Sequence, residues 1–328
     1  MSFNLLEFSK GGGCGCKIEP QKLKSILEGV SNQHQNNVLV DFSGSDDAAV
    51  IDLGNQQYLI QTTDFFLPVV SDPFDFGRIA ACNALSDVYA MGGKPLTALS
   101  ILGWPVEKIP LDIAKEVIKG AVSICQEAGI SISGGHSIET ADPIFGLSVS
   151  GLVEATNLKR NNTCQIGDTI YITKPLGLGL LANAVKTGAI TEDGYAQLLR
   201  YATRLNTIGI ELGGRADVNA MTDITGFGLL GHMTEMLGAE KGARLNLVDI
   251  PVIEEAKELA GKMMYPNITT SNYNFVKDRC KGLNGLEFLW LCDPQTSGGL
   301  MFTSAERIEM PDCYPIGQVV EGSQIEIL

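Results

Sequence analysis

The sequence predicts an α/β protein built as two α+β domains with partly antiparallel sheets, rather than one doubly wound parallel sheet. The chain has 328 residues, which is more than one ordinary hydrophobic core accommodates. Helical and strand-like patterns mix along it without strict strand–helix–strand alternation. A polar stretch at 154–163 interrupts these patterns. We therefore predict a glycine-rich mobile segment at 1–36, an N-terminal domain at 37–155 and a C-terminal domain at 156–328.

In the N-terminal domain, apolar residues at helical spacing predict helices at 74–91 and 111–128. The first of these ends at Gly92 and Gly93, a typical helix stop. Short apolar and β-branched runs between Gly, Ser, Asp and Asn turns predict the strands. These are 38–42, 48–53, 57–66, 96–102, 130–133 and 144–153.

The C-terminal domain begins with a predicted strand at 169–173 and the turn KPLGLG. Helical patterns follow at 178–187, 196–212 and 253–264. Further strands are predicted at 244–248, 286–291, 299–303, 314–320 and 324–328.

The composition excludes several function classes. The net charge is −14, and the chain has no basic tract, so a nucleic-acid partner is not expected. The longest apolar run, 143–153, is about half the length that spans a bilayer, and the first residues lack the features of a secretion signal. We therefore expect a cytoplasmic protein with no membrane partner. The eight irregularly spaced cysteines are expected to be mostly buried thiols.

The most unusual local feature is GGGCGCKIEP at 11–20, where glycines surround Cys14, Cys16 and Lys17. Such a backbone can wrap a ligand, and the lysine can favour a thiolate or bind a phosphate. A floppy terminus with incidental cysteines is an equally good interpretation. A zinc site is less favoured because no second Cys/His pair has matching spacing.

Aspartates form a second candidate site. They lie before a strand, at a strand end, on a helix and in MTDITGFG: Asp46, Asp47, Asp64, Asp87 and Asp223. Each one alone is typical of a turn or a helix cap. Embedded together in apolar segments, they are better explained by magnesium and nucleotide binding, since magnesium prefers carboxylate, phosphate and water oxygens.

Three other motifs leave alternatives open. The glycines at 226, 228 and 231, followed by Asp249, match the dinucleotide-binding pattern, but the segment before them is short and polar. Those glycines can equally open a helix whose N-terminus faces Asp223 and a phosphate or metal. GGHS at 134–137 can hold phosphate or ribose oxygens, although a structural role is the simpler reading of His136. DPQTSGG at 293–299 is interpreted as a structural loop.

Several of these segments resemble one family. GCGCKI, SDDAAV, TTDFF, FDFGRIAACNALSDVYAMGGKP, ILGWP, GGHSI, PIFGL, MTDITGFGLLGH and CDPQTSGGL occur between residues 13 and 300. These segments, and their order along the chain, resemble selenophosphate synthetase (selenide, water dikinase), of the aminoimidazole ribonucleotide synthetase-like superfamily. The resemblance implies a two-domain fold whose N-terminal domains pair in a homodimer, with a β-barrel at the interface.

The resemblance also implies the site residues. Cys14 and Lys17 fall on the catalytic positions, and Asp47, Asp87 and Asp223 fall on magnesium-binding positions for more than one ion. ATP-contacting positions are Lys17, Gly44, Ser45, Asp46, Asp64, Asp87 and, from the other subunit, Gly135, His136 and Ser137. The family also suggests a potassium ion.

The implied reaction converts ATP, selenide and water into selenophosphate, orthophosphate and AMP. A superfamily neighbour that uses ATP as a small-molecule kinase or ligase is the first alternative, and Cys14, Cys16 and Lys17 argue against it. A nicotinamide-dependent oxidoreductase is the second alternative, and it rests only on the glycines at 226–231 and Asp249.

Overall fold

A computed structural model of the chain describes residues 3–8, 22, 25–26, 28–30, 36–41 and 46–328. Cys14, Cys16, Lys17, Gly44 and Ser45 therefore lie outside the described residues, as does most of the predicted segment 1–36. No helix within the described ranges is long and apolar enough to cross a membrane.

The N-terminal half forms a six-stranded sheet with the order β1-β2-β3-β6-β4-β5. Only the β4–β5 pair is parallel; the others are antiparallel. The strands are β1 (Val38–Val40), β2 (Ala49–Asp52), β3 (Gln57–Phe66), β4 (Lys94–Trp104), β5 (Ile132–Glu139) and β6 (Ile144–Glu154). The helices are α1 (Pro73–Ala90) and α2 (Leu111–Glu127).

Local sequence features explain where helix α1 begins, how it packs and where it ends. The side chain of Asp72 accepts a hydrogen bond from the Asp75 N–H at 2.9 Å, and Pro73 occupies the first turn. Gly77 lets α1 approach α2 closely, since a Cβ there would lie 1.8 Å from the Val117 carbonyl oxygen. Gly92, with a φ of 74°, stops the helix as predicted.

The C-terminal half contains a seven-stranded sheet with the order β10-β13-β9-β12-β7-β11-β8. Its strands are β7 (Thr169–Ile172), β8 (Val218–Asp223), β9 (Lys241–Leu245), β10 (Cys280–Lys281), β11 (Leu300–Ser304), β12 (Tyr314–Glu321) and β13 (Ile325–Ile327). Its helices are α3 (Leu178–Thr187), α4 (Glu192–Ala202), α5 (Ile208–Gly213), α6 (Gly228–Leu237), α7 (Glu254–Gly261), α8 (Asn267–Val276) and α9 (Phe288–Leu291). Parallel and antiparallel pairs both occur, as predicted.

Two predicted elements were wrong in type or continuity. Residues 286–291 were expected to form a strand, but their second part is the short helix α9. A short apolar run does not distinguish a buried strand from a buried helix. The helix expected at 196–212 is divided into α4 and α5 by a break in which the buried Asn206 donates to a backbone carbonyl.

The two halves pack together around α1. One cluster of buried apolar residues joins α1 and α2 to helices α3, α4 and α7 of the second half. Gly209 of α5 meets the end of α1, where an added Cβ would lie 2.2 Å from the Tyr89 carbonyl oxygen. This junction brings the ends of β3, β8 and α1 to one place.

Candidate active site at the domain junction

The three predicted magnesium-binding aspartates lie close enough for the charges of two of them to act on the third. Asp47 precedes β2, Asp87 lies on α1, and Asp223 is the last residue of β8. Burial raises the pKa of Asp47 well above its ordinary value, and the charges of Asp223 and Asp87 raise it further. The structure therefore brings carboxylates from three separate chain segments to the junction.

The Asp47 carboxylate is only partly compensated. Its Oδ1 accepts a hydrogen bond of 2.6 Å from the Thr222 hydroxyl. Its Oδ2 is buried and has no hydrogen-bond partner among the described residues. A buried carboxylate oxygen without a donor is costly, and a cation beside it would remove that cost. The surroundings of Asp47 are therefore suited to a bound cation.

Side chains of β3 and α1 donate hydrogen bonds to the carboxylates of Asp64 and Asp87. Strand alternation directs Thr62 and Asp64 toward α1, while Asn83 and Asp87 lie one turn apart on that helix. The Thr62 hydroxyl donates to Asp87, and the Asn83 amide donates to Asp64 Oδ2 at 2.5 Å. Side chains of one domain thus fix the orientation of both carboxylates.

The DPQTSGG loop of the second half reaches into this network. The backbone N–H of Ser297 donates to Asn83 Oδ1 at 2.8 Å, and Ser297 has a left-handed φ of 58°. The Lys174 ammonium donates to the Ser297 carbonyl at 2.9 Å and to the Arg204 carbonyl at 2.7 Å. Burial lowers the pKa of Lys174 to about 8. The loop is structural, as predicted, but it also positions a residue that holds Asp64.

The structure gives the Asp46 side chain protein partners. Its carboxylate accepts hydrogen bonds from the Arg160 guanidinium and from the Asn161 N–H. The sequence patterns gave no indication of Arg160, because it lies 114 residues from Asp46 and belongs to no motif.

The helix after KPLGLG offers no free N-terminus for a phosphate. Gln295 Oε1 accepts the N–H groups of Gly177 and Leu178, and Asp293 Oδ2 accepts those of Gly179 and Leu180. These are the four N–H groups that a helix start leaves without partners. Burial raises the pKa of Asp293 to about 8, against the effect of its donors.

The glycines at 226, 228 and 231 do not form a dinucleotide-binding unit. Such a unit needs neighbouring parallel strands on either side of the helix, but three strands separate β8 from β9 in the sheet. Close packing explains Gly228, where a Cβ would lie 2.7 Å from the backbone carbon of Cys292. Asn272 and His232 bind the loop through the Gly226 carbonyl and the Thr225 N–H.

Gly135, His136 and Ser137 are not part of the aspartate cluster within one chain. They lie on β5, which β4 and β6 separate from β3, and all three are exposed. Their predicted role in a neighbouring subunit is consistent with this position at the sheet edge, and it stays a prediction.

Among the described residues, no group of three or more His, Cys, Asp or Glu side chains is already arranged to hold a metal ion. The magnesium assignment therefore rests on the charge and burial of Asp47, Asp87 and Asp223, and it stays a prediction.

Comparisons with known proteins identify the family. The model of the AIR synthase related protein N-terminal domain matches residues 45–153, and that of the C-terminal domain matches 165–328. A selenide, water dikinase of Aeromonas hydrophila is 44% identical over 94% of this chain and 90% of its own length. One of Pseudomonas aeruginosa is 43% identical over 99% and 98%, respectively. The chain belongs to the selenide, water dikinase family.

Solved structures of other proteins share the fold of this selenide, water dikinase family member. Thiamine monophosphate kinase from Aquifex aeolicus has a TM-score of 0.70 at 18% identity and covers 94% of both chains. The hydrogenase maturation protein HypE in complex with ATP has a TM-score of 0.58 at 20% identity, over 98% of this chain and 93% of its own. At such identities the likeness establishes the two-domain AIR synthase-like fold alone.

Proposed function

We propose that the chain synthesises selenophosphate from ATP, selenide and water and releases AMP and orthophosphate. The observation that carries this proposal is the identity of 43–44% with selenide, water dikinases over nearly the whole chain. The motifs quoted above lie between residues 13 and 300. The buried carboxylates at the junction suit a reaction that handles a polyphosphate.

Magnesium is the cofactor that best suits this junction. Asp47, Asp87 and Asp223 would hold it, because carboxylates packed this closely need a compensating charge. A bound magnesium ion would neutralise phosphate charge and favour its displacement. The protein's own task is to keep these carboxylates fixed, which Thr222 and Thr62 do through their hydroxyl groups.

The thiol and the ammonium group come from the glycine-rich segment. Cys14 and Lys17 would act on selenide and ATP, since a lysine near a thiol favours the thiolate and can bind phosphate. Replacing Cys14 with serine keeps the size but removes the good nucleophile. Cys14→Ser should therefore lose selenophosphate formation by orders of magnitude, while the matched control Cys16→Ser keeps substantial activity.

A homodimer would complete the site. The face of the first sheet opposite α1 and α2 carries the exposed apolar side chains of Phe65, Leu99 and Ile138. Strand β5 is an edge strand in the described sheet, and residues 133–139 along it are exposed. Proteins normally cover exposed apolar surfaces and exposed edge strands. A second copy that forms a barrel with this sheet would cover both the apolar face and the edge strand β5. A fully active monomer in sedimentation at assay concentration would exclude this assembly.

The decisive experiment is phosphorus NMR of the products of magnesium-ATP with and without selenide. We expect AMP, orthophosphate and selenophosphate in equal amounts, with selenophosphate formed only when selenide is present. ADP as the main product with any acceptor would instead indicate a small-molecule kinase of the same fold.

A further inference from the structure

Asp46 and Asp47 are adjacent in sequence, but their carboxylates have opposite environments. The Asp46 side chain is fully buried. Its Oδ2 accepts two hydrogen bonds from the Arg160 guanidinium, at 3.0 and 2.8 Å, and its Oδ1 accepts the Asn161 N–H at 3.0 Å. Asp47 receives only the Thr222 hydroxyl and keeps Oδ2 without a partner among the described residues. Both oxygens of Asp46 therefore have protein donors, whereas only one oxygen of Asp47 has a donor among the described residues.

The donors to Asp46 are themselves attached to β8. The Arg160 carbonyl accepts the N–H of Met221, two residues before Asp223, at 3.1 Å. The Thr163 hydroxyl donates to the Asn219 carbonyl at 2.6 Å. The Lys159 ammonium donates to the carbonyls of Arg215 and Val218, each at 2.8 Å. These hydrogen bonds fix the segment 159–163 relative to β8, the strand that carries Asp223.

We propose that Arg160 is a positioning residue that holds Asp46 and thereby fixes Asp47 beside Asp223. This inference rests on the proposed function. The guanidinium also offsets the charge of Asp46, which contributes the smallest of the three carboxylate repulsions on Asp47. The Asp46 side chain then serves the geometry of the site, because both of its oxygens bind protein donors.

The geometry of Arg160 makes this role specific. Its two donors converge on one oxygen, an arrangement that a lysine ammonium does not reproduce. Its side chain is 37% exposed, so its replacement disturbs little of the core. Arg244, which is paired with Glu326 at 3.0 Å on the second sheet, is a matched control for loss of a surface ion pair.

The first test measures manganese binding by calorimetry, with manganese as the probe for the carboxylates. Partners outside the ligand shell typically contribute about tenfold or more to metal affinity. We expect Arg160→Gln to weaken binding by at least about tenfold, Arg160→Lys to weaken it less, and Arg244→Gln to leave it unchanged. Wild-type affinity in a folded Arg160→Gln protein would overturn the proposal. If Arg160→Gln does not fold, wild-type affinity in the folded Arg160→Lys protein overturns it instead.

The second test needs no metal. Asp47→Asn relieves repulsion from Asp87 and Asp223, so it should raise the unfolding temperature of the metal-free protein. If Arg160 holds Asp47 in place, that gain should shrink in the Arg160→Gln background, because the freed Asp47 moves away from its neighbours. An equal gain in both backgrounds would contradict the positioning role. Both tests are independent of selenide turnover, so failure of the proposed reaction is distinguishable from failure of this inference.

Discussion

Asp293, in the loop before β11, and Asp47, at the domain junction, each have one buried carboxylate oxygen without a hydrogen-bond partner among the described residues. Burial raises the pKa of each, but their surroundings differ. Oδ2 of Asp293 accepts two backbone N–H groups and the Gln295 amide, so it caps α3. Asp47 has one hydroxyl donor and the carboxylates of Asp87 and Asp223 nearby. Burial alone therefore does not identify a functional acid; the surrounding charges and donors do.

The largest expected effect concerns the junction. Asp223→Asn should reduce turnover by about 100-fold or more while the fold persists, because one charged ligand of the proposed metal–phosphate site is lost. Circular dichroism verifies the fold, and steady-state assays at several magnesium concentrations measure turnover. Asp249→Asn, at an exposed position, is the matched control and should keep turnover. Normal turnover of Asp223→Asn at low magnesium would contradict the assignment of Asp223 to the magnesium site.

The opposite result is expected at the helix cap. Asp293→Ala leaves the N–H groups of Gly179 and Leu180 without their acceptor, which should cost about 2–4 kcal/mol of unfolding free energy. Turnover per folded molecule should change far less than in Asp223→Asn. Urea unfolding measures the cost. A change below about 0.5 kcal/mol, typical of a neutral surface substitution, would show that the cap is dispensable.

The pH dependence of stability distinguishes the cap further. Folding raises the pKa of Asp293 from 3.8 to about 8, so over this range the folded protein holds a proton that the unfolded chain has released. The contribution of this group to the unfolding free energy is therefore largest below pH 4 and falls as the pH rises toward about 8. Asp293→Asn removes this contribution. Its unfolding free energy, measured in urea from pH 5 to 8.5, should fall less steeply with pH than that of the wild type, and parallel curves would contradict the assignment.

A smaller effect is expected where the loop supports Asp64. Asn83→Ala removes both the donor to Asp64 and the acceptor of the Ser297 N–H, so it should raise the KM for ATP several-fold and lower stability by about 1–3 kcal/mol. Ser297→Gly keeps the N–H and suits the left-handed φ, and it should leave the KM unchanged. Equal KM values for Asn83→Ala and the wild type would show that Asp64 needs no support from Asn83.

Much of the fold could be predicted from the sequence because local patterns determine it. The strand at 57–66 and the helix at 178–187 were predicted with the observed ends, since alternation and helical spacing are strong there. The short apolar run at 286–291 gave no such signal, and its tertiary packing decided the outcome. Leu289 lies in the apolar cluster that joins the two halves, and Leu291 lies in a separate cluster of the second half. The expected strand at 244–248 lies earlier, at Lys241–Leu245, because its last residues turn into a 3-10 helix.

The site was predictable only in part. Asp47, Asp64, Asp87 and Asp223 fall at strand and helix positions where ligand-binding acids are common, so the sequence could group them. The residues that bind these aspartates could not be predicted from the sequence, because they are distant from them along the chain. Ser297 is 214 residues from Asn83, and no local pattern connects such positions. The catalytic assignments of Cys14 and Lys17 stay predictions.

We propose that the carboxylates at the junction bind a cation, whereas the cap at Asp293 does not. Thermal unfolding with and without magnesium tests it most directly, in the wild type, Asp47→Asn and Asp293→Asn. We expect magnesium to raise the unfolding temperature of the wild type and of Asp293→Asn. Asp47→Asn should unfold at a higher temperature than the wild type without magnesium and should gain little from the ion. An equal magnesium response in all three proteins would contradict the claim.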